Sequence, residues 1–484
     1  MILLSHSYLL RLDPKQWRLR QPYPPLGTLY AAALLRRHGH ALAFHDAQFD
    51  AGPELLETLL RQHQPRCFVL FDDGFNYLTK MCLSNMRDAA FDRIARAKRA
   101  GCTVIVSSSD STDHFERYLE AGADYVLLGE AEATLLELVT ALNDGADPTA
   151  VAGMACNTAH GVLKTTKRPV LRDLDALPLP AWDLLDIAPY RGMWEKNTGA
   201  LSINIATTRG CPYKCNWCAK PIYGNRYNVR SPESVVAEMK WLKELFDPKH
   251  IWFCDDIFGL KPGWVPHFAE LLRSEGLRIP FKIQSRADLL LQEHYAAALA
   301  DAGCATVWMG AESGSQAILD AMDKGITVAQ IAEATAQLRR HGIAPCFFIQ
   351  FGYLGETDGD IAATLRMIRE LRPHDIGISV SYPLPGTRFY EKVQTQLGEK
   401  ANWTDSDELL LLFRNCHSAR FYRQLHRYVH KAYRKRQALQ QAADLLRHPL
   451  SANGASLKKA ASALFYIPAS LVARFRLHQL RSTP

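Results

Sequence analysis

The sequence predicts an α/β protein in three parts: a doubly wound, flavodoxin-like parallel sheet, a partial (β/α)6 barrel, and a mainly α-helical basic tail. Three observations carry this. Short apolar runs alternate with amphipathic stretches over residues 1–145, and again over 201–400. Beyond residue 401 that alternation stops. Charge is also segregated: Arg414–Pro484 holds fourteen Lys and Arg against one acid, Asp444, a local +13, whereas the remainder is at −6 and the whole chain at +7.

In the leading part the candidate strands are Ile2–Ser5, Leu42–Asp46, Cys67–Phe71, Thr103–Ser107 and Tyr125–Leu128. Helical patterns at Leu26–His38, Leu55–Gln62, Asp88–Ala100 and Thr134–Leu142 separate them. Such alternation gives parallel strands joined by right-handed crossovers, with ligands bound beyond the strands' carboxyl ends. Residues 146–200 read as a linker; Lys164–Val170 is basic and β-like, and Asp173–Trp182 carries prolines that keep the chain extended. From 201 to 400 the strands are Leu201–Ala206, His250–Phe253, Phe281–Ser285, Thr306–Gly310, Cys346–Phe351 and Gly377–Tyr382. Helical periodicity lies between them, which predicts an incomplete barrel with its chemistry at the strand mouths.

Polar clusters stand at each of those mouths. Cys211, Cys215 and Cys218 form a C-x3-C-x2-C triplet directly after the first barrel strand. Three thiolates on one tight loop suit a soft metal centre. Cysteines usually hold an iron–sulfur cluster four at a time, so a triplet points to a four-iron cluster with one iron open. An open position is what a catalytic metal site keeps. The alternative is a zinc knuckle with Cys254 or a distant His as fourth ligand, although zinc pairs more often recur as C-x2-C twice. The other mouths carry Asp255-Asp256, Gln284–Arg286, Glu312–Ser315, Gly352–Glu356 and Pro385–Thr387.

The loop Thr207–Lys220 resembles the cluster loop of the radical S-adenosylmethionine (SAM) enzymes. The leading half resembles the cobalamin-binding domain found ahead of many of them, on Pro24–Gly27, Arg37–His40, Asp46, Ser107–Asp110 and Leu128–Glu132. Leu177–Asp183 resembles the linker that precedes the cluster loop in this family, and the chain as a whole resembles the anaerobic magnesium-protoporphyrin cyclase-like and hopanoid-modifying members. The resemblance implies a [4Fe-4S] cluster on Cys211, Cys215 and Cys218, with SAM on the open iron and Trp217 beside the adenine. It also implies Asp255 and Asp256 at the SAM amino group, Arg286 at its carboxylate, and Glu312 and Ser313 at the ribose and carboxylate. Gly352 and Gly355 would let backbone approach the adenine, since glycine lacks Cβ. Plainer readings stand beside these: a helix N-cap for the aspartates, a strand-end salt bridge for Arg286, a tight turn for the glycines. The D-x-H-x-x-G signature of other cobalamin domains is absent, and His6 lacks its flanking Asp and Gly. Cobalamin bound without a histidine ligand, and a domain that only docks on the barrel, are both open.

The implied activity is SAM cleavage to a 5′-deoxyadenosyl radical and modification of an unactivated carbon, first of all by methyl transfer. Oxidative cyclisation or rearrangement is the alternative within the family. A tRNA methylthiotransferase-like enzyme and a non-catalytic metal protein with a partner-binding tail are the others. Expected partners are a small-molecule or lipid-like substrate, an electron donor such as flavodoxin or ferredoxin, and an anionic membrane surface for the tail. No nucleic acid is expected, since no recognised binding module is present. Hydrophobic content of 48% and charged content of 22% are ordinary for a globular enzyme. No apolar run reaches the roughly 18 residues of a membrane span, and no cleavable leader is expected. Scattered cysteines favour a reducing interior. The expected location is cytoplasmic, peripheral at the inner face of the membrane.

Overall fold

Short runs rich in β-branched and aromatic residues, covered by helices, form buried parallel strands. The computed structural model, which describes residues 1–75 and 77–481, joins the leading runs in one sheet. Its strands are β1 (Ile2–Ser5), β2 (Leu42–His45), β3 (Cys67–Phe71), β4 (Thr103–Ser107), β5 (Tyr125–Leu127), β6 (Met154–Thr158) and β7 (Gly161–Lys164). They lie in the order β2-β1-β3-β4-β5-β6-β7, and the first five are parallel. Strand order reverses at β1, which creates a crevice beyond the ends of β1 and β3. The sheet continues past residue 145, because β6 and β7 add an antiparallel hairpin to the edge of β5. The β-like stretch expected at Lys164–Val170 thus lies earlier, at Gly161–Lys164. A hairpin needs no helical crossover, so strand–helix alternation did not reveal it.

The proline-rich strap is wedged between the two halves. Trp182 is fully buried and its indole N–H donates to Glu238 Oε1 at 2.9 Å. On the other side Ala181 N–H donates to the Leu29 carbonyl at 3.1 Å.

The second half contributes β8 (Ser202–Ile205), β9 (Thr208–Arg209), β10 (Asn228–Val229), β11 (His250–Phe253), β12 (Phe281–Ser285), β13 (Cys304–Glu312), β14 (Ala344–Phe351) and β15 (Asp375–Val380). Six of these form a parallel sheet in chain order, β8-β11-β12-β13-β14-β15, with β8 and β15 left as edges. This is an open, curled half-barrel. Register sorts its two faces. Ile203, Ile251, Phe281, Ile283, Val307, Met309, Phe347 and Ile376 are buried on the outer face. The inner face carries Asn204, Trp252, Lys282, Gln284, Trp308, Phe348, Gly377 and Ser379, most of them half-buried. A closed barrel fills its interior with layers of branched apolar side chains. Here the interior is a concave aromatic and polar surface instead.

The tail closes one edge. Helix Ala419–Arg447 lies along β15, where Tyr433 OH donates to the Pro373 carbonyl at 2.9 Å and Arg434 pairs with Asp375 at 3.2 Å. Helices Gly454–Ala461 and Ala463–Arg481 fold back on it. Among the described residues, no helix is long and apolar enough to cross a membrane.

Candidate active site

The cluster loop is built from its root upwards. Asp255, at the end of β11, accepts from Thr207 N–H at 2.7 Å, Thr208 N–H at 2.9 Å and Thr207 Oγ1 at 2.5 Å. Burial pushes its carboxyl up to about 7 against the pull of those bonds. Asp255 therefore anchors the loop, and its oxygens are committed to that task. Gly210 follows at φ +78°, where a Cβ would strike the Arg226 carbonyl and lie 3.1 Å from that of Gly224. Only glycine suits that close return of the chain.

Beyond this turn Cys211, Cys215 and Cys218 are half-buried. Burial pushes the Cys211 thiol up, and that of Cys218 to about 12, with Asp256 and the other two sulfurs contributing to the latter. A bound metal reverses such a shift, because a coordinated thiol is deprotonated outright. Among the described residues, no three His, Cys, Asp or Glu side chains are gathered so as to hold a metal ion. Cys254, the fourth ligand a zinc knuckle would take, is buried with its Sγ donating to the Ile205 carbonyl at 3.3 Å.

Asn216 pins the loop across the barrel mouth. Its amide donates to the Ala321 carbonyl at 2.7 Å and Asp323 at 3.0 Å, while its carbonyl oxygen accepts from Tyr353 OH at 2.8 Å. Its backbone bonds Met322 and Phe389, so the loops after β13, β14 and β15 all hold it. Arg286, after β12, stacks 3.7 Å from the centre of the Tyr213 ring, is gripped by Asp288, and brings Nη1 within 3.8 Å of Cys215 Sγ. Glu312 sits at φ +54° beyond an irregularity in the β13–β14 register, and its Oε1 pairs with Lys324 at 2.8 Å. Burial alone would lower the Lys324 ammonium, but Glu312, and then Cys215, raise it. The same ammonium lies 5.7 Å from the Trp217 ring, whose Nε1 is buried without a hydrogen-bond partner.

Most other sequence-predicted residues have partners of their own. Ser313 is buried, with its hydroxyl against Thr364 Oγ1 at 3.1 Å. Gly352, at φ +75°, is covered by the tail, where a Cβ would lie 3.2 Å from Leu411. Gly355, at φ +83°, has open space around it. Tyr223 packs against Phe75 and Tyr227 OH accepts from Leu260 N–H, so both brace the loop. Asn216, Tyr353 and Lys324 went unassigned in the sequence, since no spacing rule marks a residue that ties a loop.

The strand-end loops of the two sheets meet. Lys80 pairs with Asp256 at 2.7 Å, and Arg209 pairs with Glu130 and, at 2.7 Å, with Glu132. In the leading sheet's crevice, His6 Nε2 lies 2.9 Å from Asp46 Oδ1, and Tyr190 OH donates to Asp46 Oδ2 at 2.6 Å. Ser7, Asp72, Arg87, Asp110 and Tyr118 line a cleft there. His6 Nδ1 and Ser109 Oγ are buried beside it with no partner. Native folds rarely leave such atoms unsatisfied, so the crevice fits a polar ligand.

Residues 205–368 match the family model of the radical SAM superfamily. An uncharacterized methyltransferase of Pyrococcus horikoshii is 29% identical over 385 residues, covering 78% of this chain and 81% of the relative. An anaerobic magnesium-protoporphyrin IX monomethyl ester cyclase of Synechocystis is 25% identical, covering 77% and 73%. Among solved structures, the radical SAM methyltransferase TsrM of Kitasatospora setae, with cobalamin and a [4Fe-4S] cluster bound, shares the fold. Its TM-score is 0.67 at 20% identity, over 82% of this chain and 78% of that one.

Proposed function

Residues 205–368 are a radical SAM domain, and from that premise we propose that the chain is a cobalamin-dependent radical SAM enzyme transferring a methyl group to an unactivated carbon. The observation that carries this is the trio of half-buried thiols at one strand mouth, shared with Arg286, Trp217 and the Glu312–Lys324 pair. Cys211, Cys215 and Cys218 would hold the [4Fe-4S] cluster; Trp217, Asp256, Arg286 and Glu312 would hold SAM; the crevice beyond β1 and β3 would take cobalamin. Bound there, the cluster would supply one electron for the reductive cleavage of SAM, and cobalamin would carry a methyl group taken from a second SAM.

The chain's own residues position and shield. Asp288 already occupies the Nε and Nη2 edge of Arg286, which leaves Nη1, facing Cys215, for a ligand carboxylate, and Glu312 with Lys324 offers both signs of charge to a zwitterion. Asp255 and Asn216 hold the cluster loop at its root and tip, which keeps the segment that carries the three thiols at the strand mouth. On the inner face Trp308 stacks on Phe348, and Lys282 lies beside Trp252 and Tyr23, which supports a substrate with an apolar body and a polar or acidic end. A lipid or isoprenoid-like molecule meets that description. Flavodoxin or ferredoxin fits as the reductant, and an anionic membrane surface as the tail's partner.

The methyltransferase relative and TsrM support methyl transfer. The cyclase relative supports the second reading, ring closure without it. Anaerobic reconstitution with SAM labelled in its methyl group, cobalamin and a reductant separates the two. Methyl transfer predicts 5′-deoxyadenosine together with label on the cobalamin; cyclisation predicts the nucleoside alone. Neither product would sink both readings.

A further inference from the structure

Helix Ala463–Arg481 exposes what a core-packed helix would bury. Against helix Ala419–Arg447 it presents Ser470, Ala473 and Leu477, and Gln424 donates to the Ala473 carbonyl at 2.8 Å. Its bulky side chains face solvent: Leu464 is 82% exposed, Phe465 63%, Leu471 58%, Val472 50% and Phe475 62%. At about 100° of rotation per residue, these five and Pro468 occupy an arc of about 120°, opposite the buried trio. A surface helix of a globular domain normally turns its apolar arc to the core. This one is anchored by Ser470, Ala473 and Leu477 and leaves five other large apolar side chains at least half exposed.

The charges around the arc are ordered too. Arg474 and Arg476 fall on its two flanks, and Lys458 and Lys459 extend the basic rim along the preceding helix; all four are exposed. Leu457 beside them is 55% exposed. After Asp444 the chain contains no acidic residue. Cationic side chains flanking an apolar arc can lay their stems along the hydrocarbon boundary and reach their charges to phosphate depth.

We propose that this face docks on an anionic lipid bilayer, with helix Ala463–Arg481 lying in the plane of the interface. A second copy of the chain is a poorer occupant, because it would bring two tails of +13 face to face. The inference names the chemistry of the tail partner suggested above, but it stands on the tail alone. Vesicle binding and SAM cleavage can therefore fail independently.

The test is sedimentation of the intact protein with vesicles of phosphatidylcholine alone and of phosphatidylcholine mixed with phosphatidylglycerol. The parent is compared with the Leu471→Glu/Phe475→Glu pair and the Arg474→Glu/Arg476→Glu pair. The parent should bind the mixed vesicles, and either pair should weaken binding by about tenfold or more. Added salt should weaken it as well, and phosphatidylcholine alone should retain little protein. Because these side chains face solvent, the thermal unfolding curves of the variants should match the parent's. Equal binding by parent and variants, or no binding to mixed vesicles, overturns the proposal. So does self-association in gel filtration that the variants abolish and vesicles do not displace, which would give the face to a second copy.

Discussion

Replacing Arg209 with Met asks whether the cluster loop is anchored to the leading sheet. Arg209 lies two residues before Cys211 and is 3% exposed. Its guanidinium pairs with Glu130 and Glu132, and lies 5.4, 5.5 and 5.3 Å from the ring centres of Tyr30, Phe75 and Tyr223. Methionine keeps the ring contacts but leaves two buried carboxylates unpaired. Breaking a buried ion pair by removing one partner costs about 3–5 kcal/mol. The cost depends on pH in a defined direction. Burial already holds the Glu130 carboxyl above its ordinary value, with Arg209 the main counterweight, so removing the arginine raises it further. A carboxyl whose folded pKa exceeds its unfolded one favours folding while protonated and loses that advantage as pH rises through the window. The deficit of the variant should therefore be smaller near about pH 5 than near about pH 8. Urea denaturation at both values measures it. A deficit below about 1 kcal/mol near the higher pH, the worth of a surface pair, would refute the reasoning. A larger deficit at the lower pH would refute it too.

Asn216→Ala removes side-chain bonds to Ala321, Asp323 and Tyr353, at about 1 kcal/mol each, and should loosen the loop. Iron remaining after a timed chelator challenge should fall, with Tyr353→Phe giving a smaller loss; unchanged retention in both would mean the tie is incidental. Burial pushes the Glu356 carboxyl up to about 8, from an ordinary value of 4.5. Folding is thus favoured by its proton at low pH and loses that contribution as pH climbs through this window. Glu356→Gln, which keeps an acceptor for Gly352 N–H, should flatten the dependence seen in denaturant midpoints. An identical pH slope in both proteins would count against it.

Much of this fold was legible because parallel strands buried under helices are written as short apolar runs, and every barrel strand falls on such a run. The edge hairpin Met154–Lys164 escaped because it breaks the strand–helix rhythm. At the site, the cysteine triplet announces itself by spacing. Asn216 does not, since its role exists only once the loops after β13 and β14 come within hydrogen-bond reach. The same applies to Lys324, twelve residues from the carboxylate it pairs with. Asp255 was visible as an acidic residue at a strand mouth, but its burial under Thr207 and Thr208 was not. In the tail, charge was plain from composition. That Ser470 and Ala473 face inward while Phe465 and Phe475 face outward depends on what the helix packs against.

The most direct measurement is iron and acid-labile sulfide per chain after anaerobic reconstitution, for the parent and for Cys215→Ala. The parent should hold about four of each, and loss of one of three thiolates should abolish both the cluster and the formation of 5′-deoxyadenosine. Full iron in Cys215→Ala, or stoichiometric zinc in the parent, would contradict the assignment of these three sulfurs.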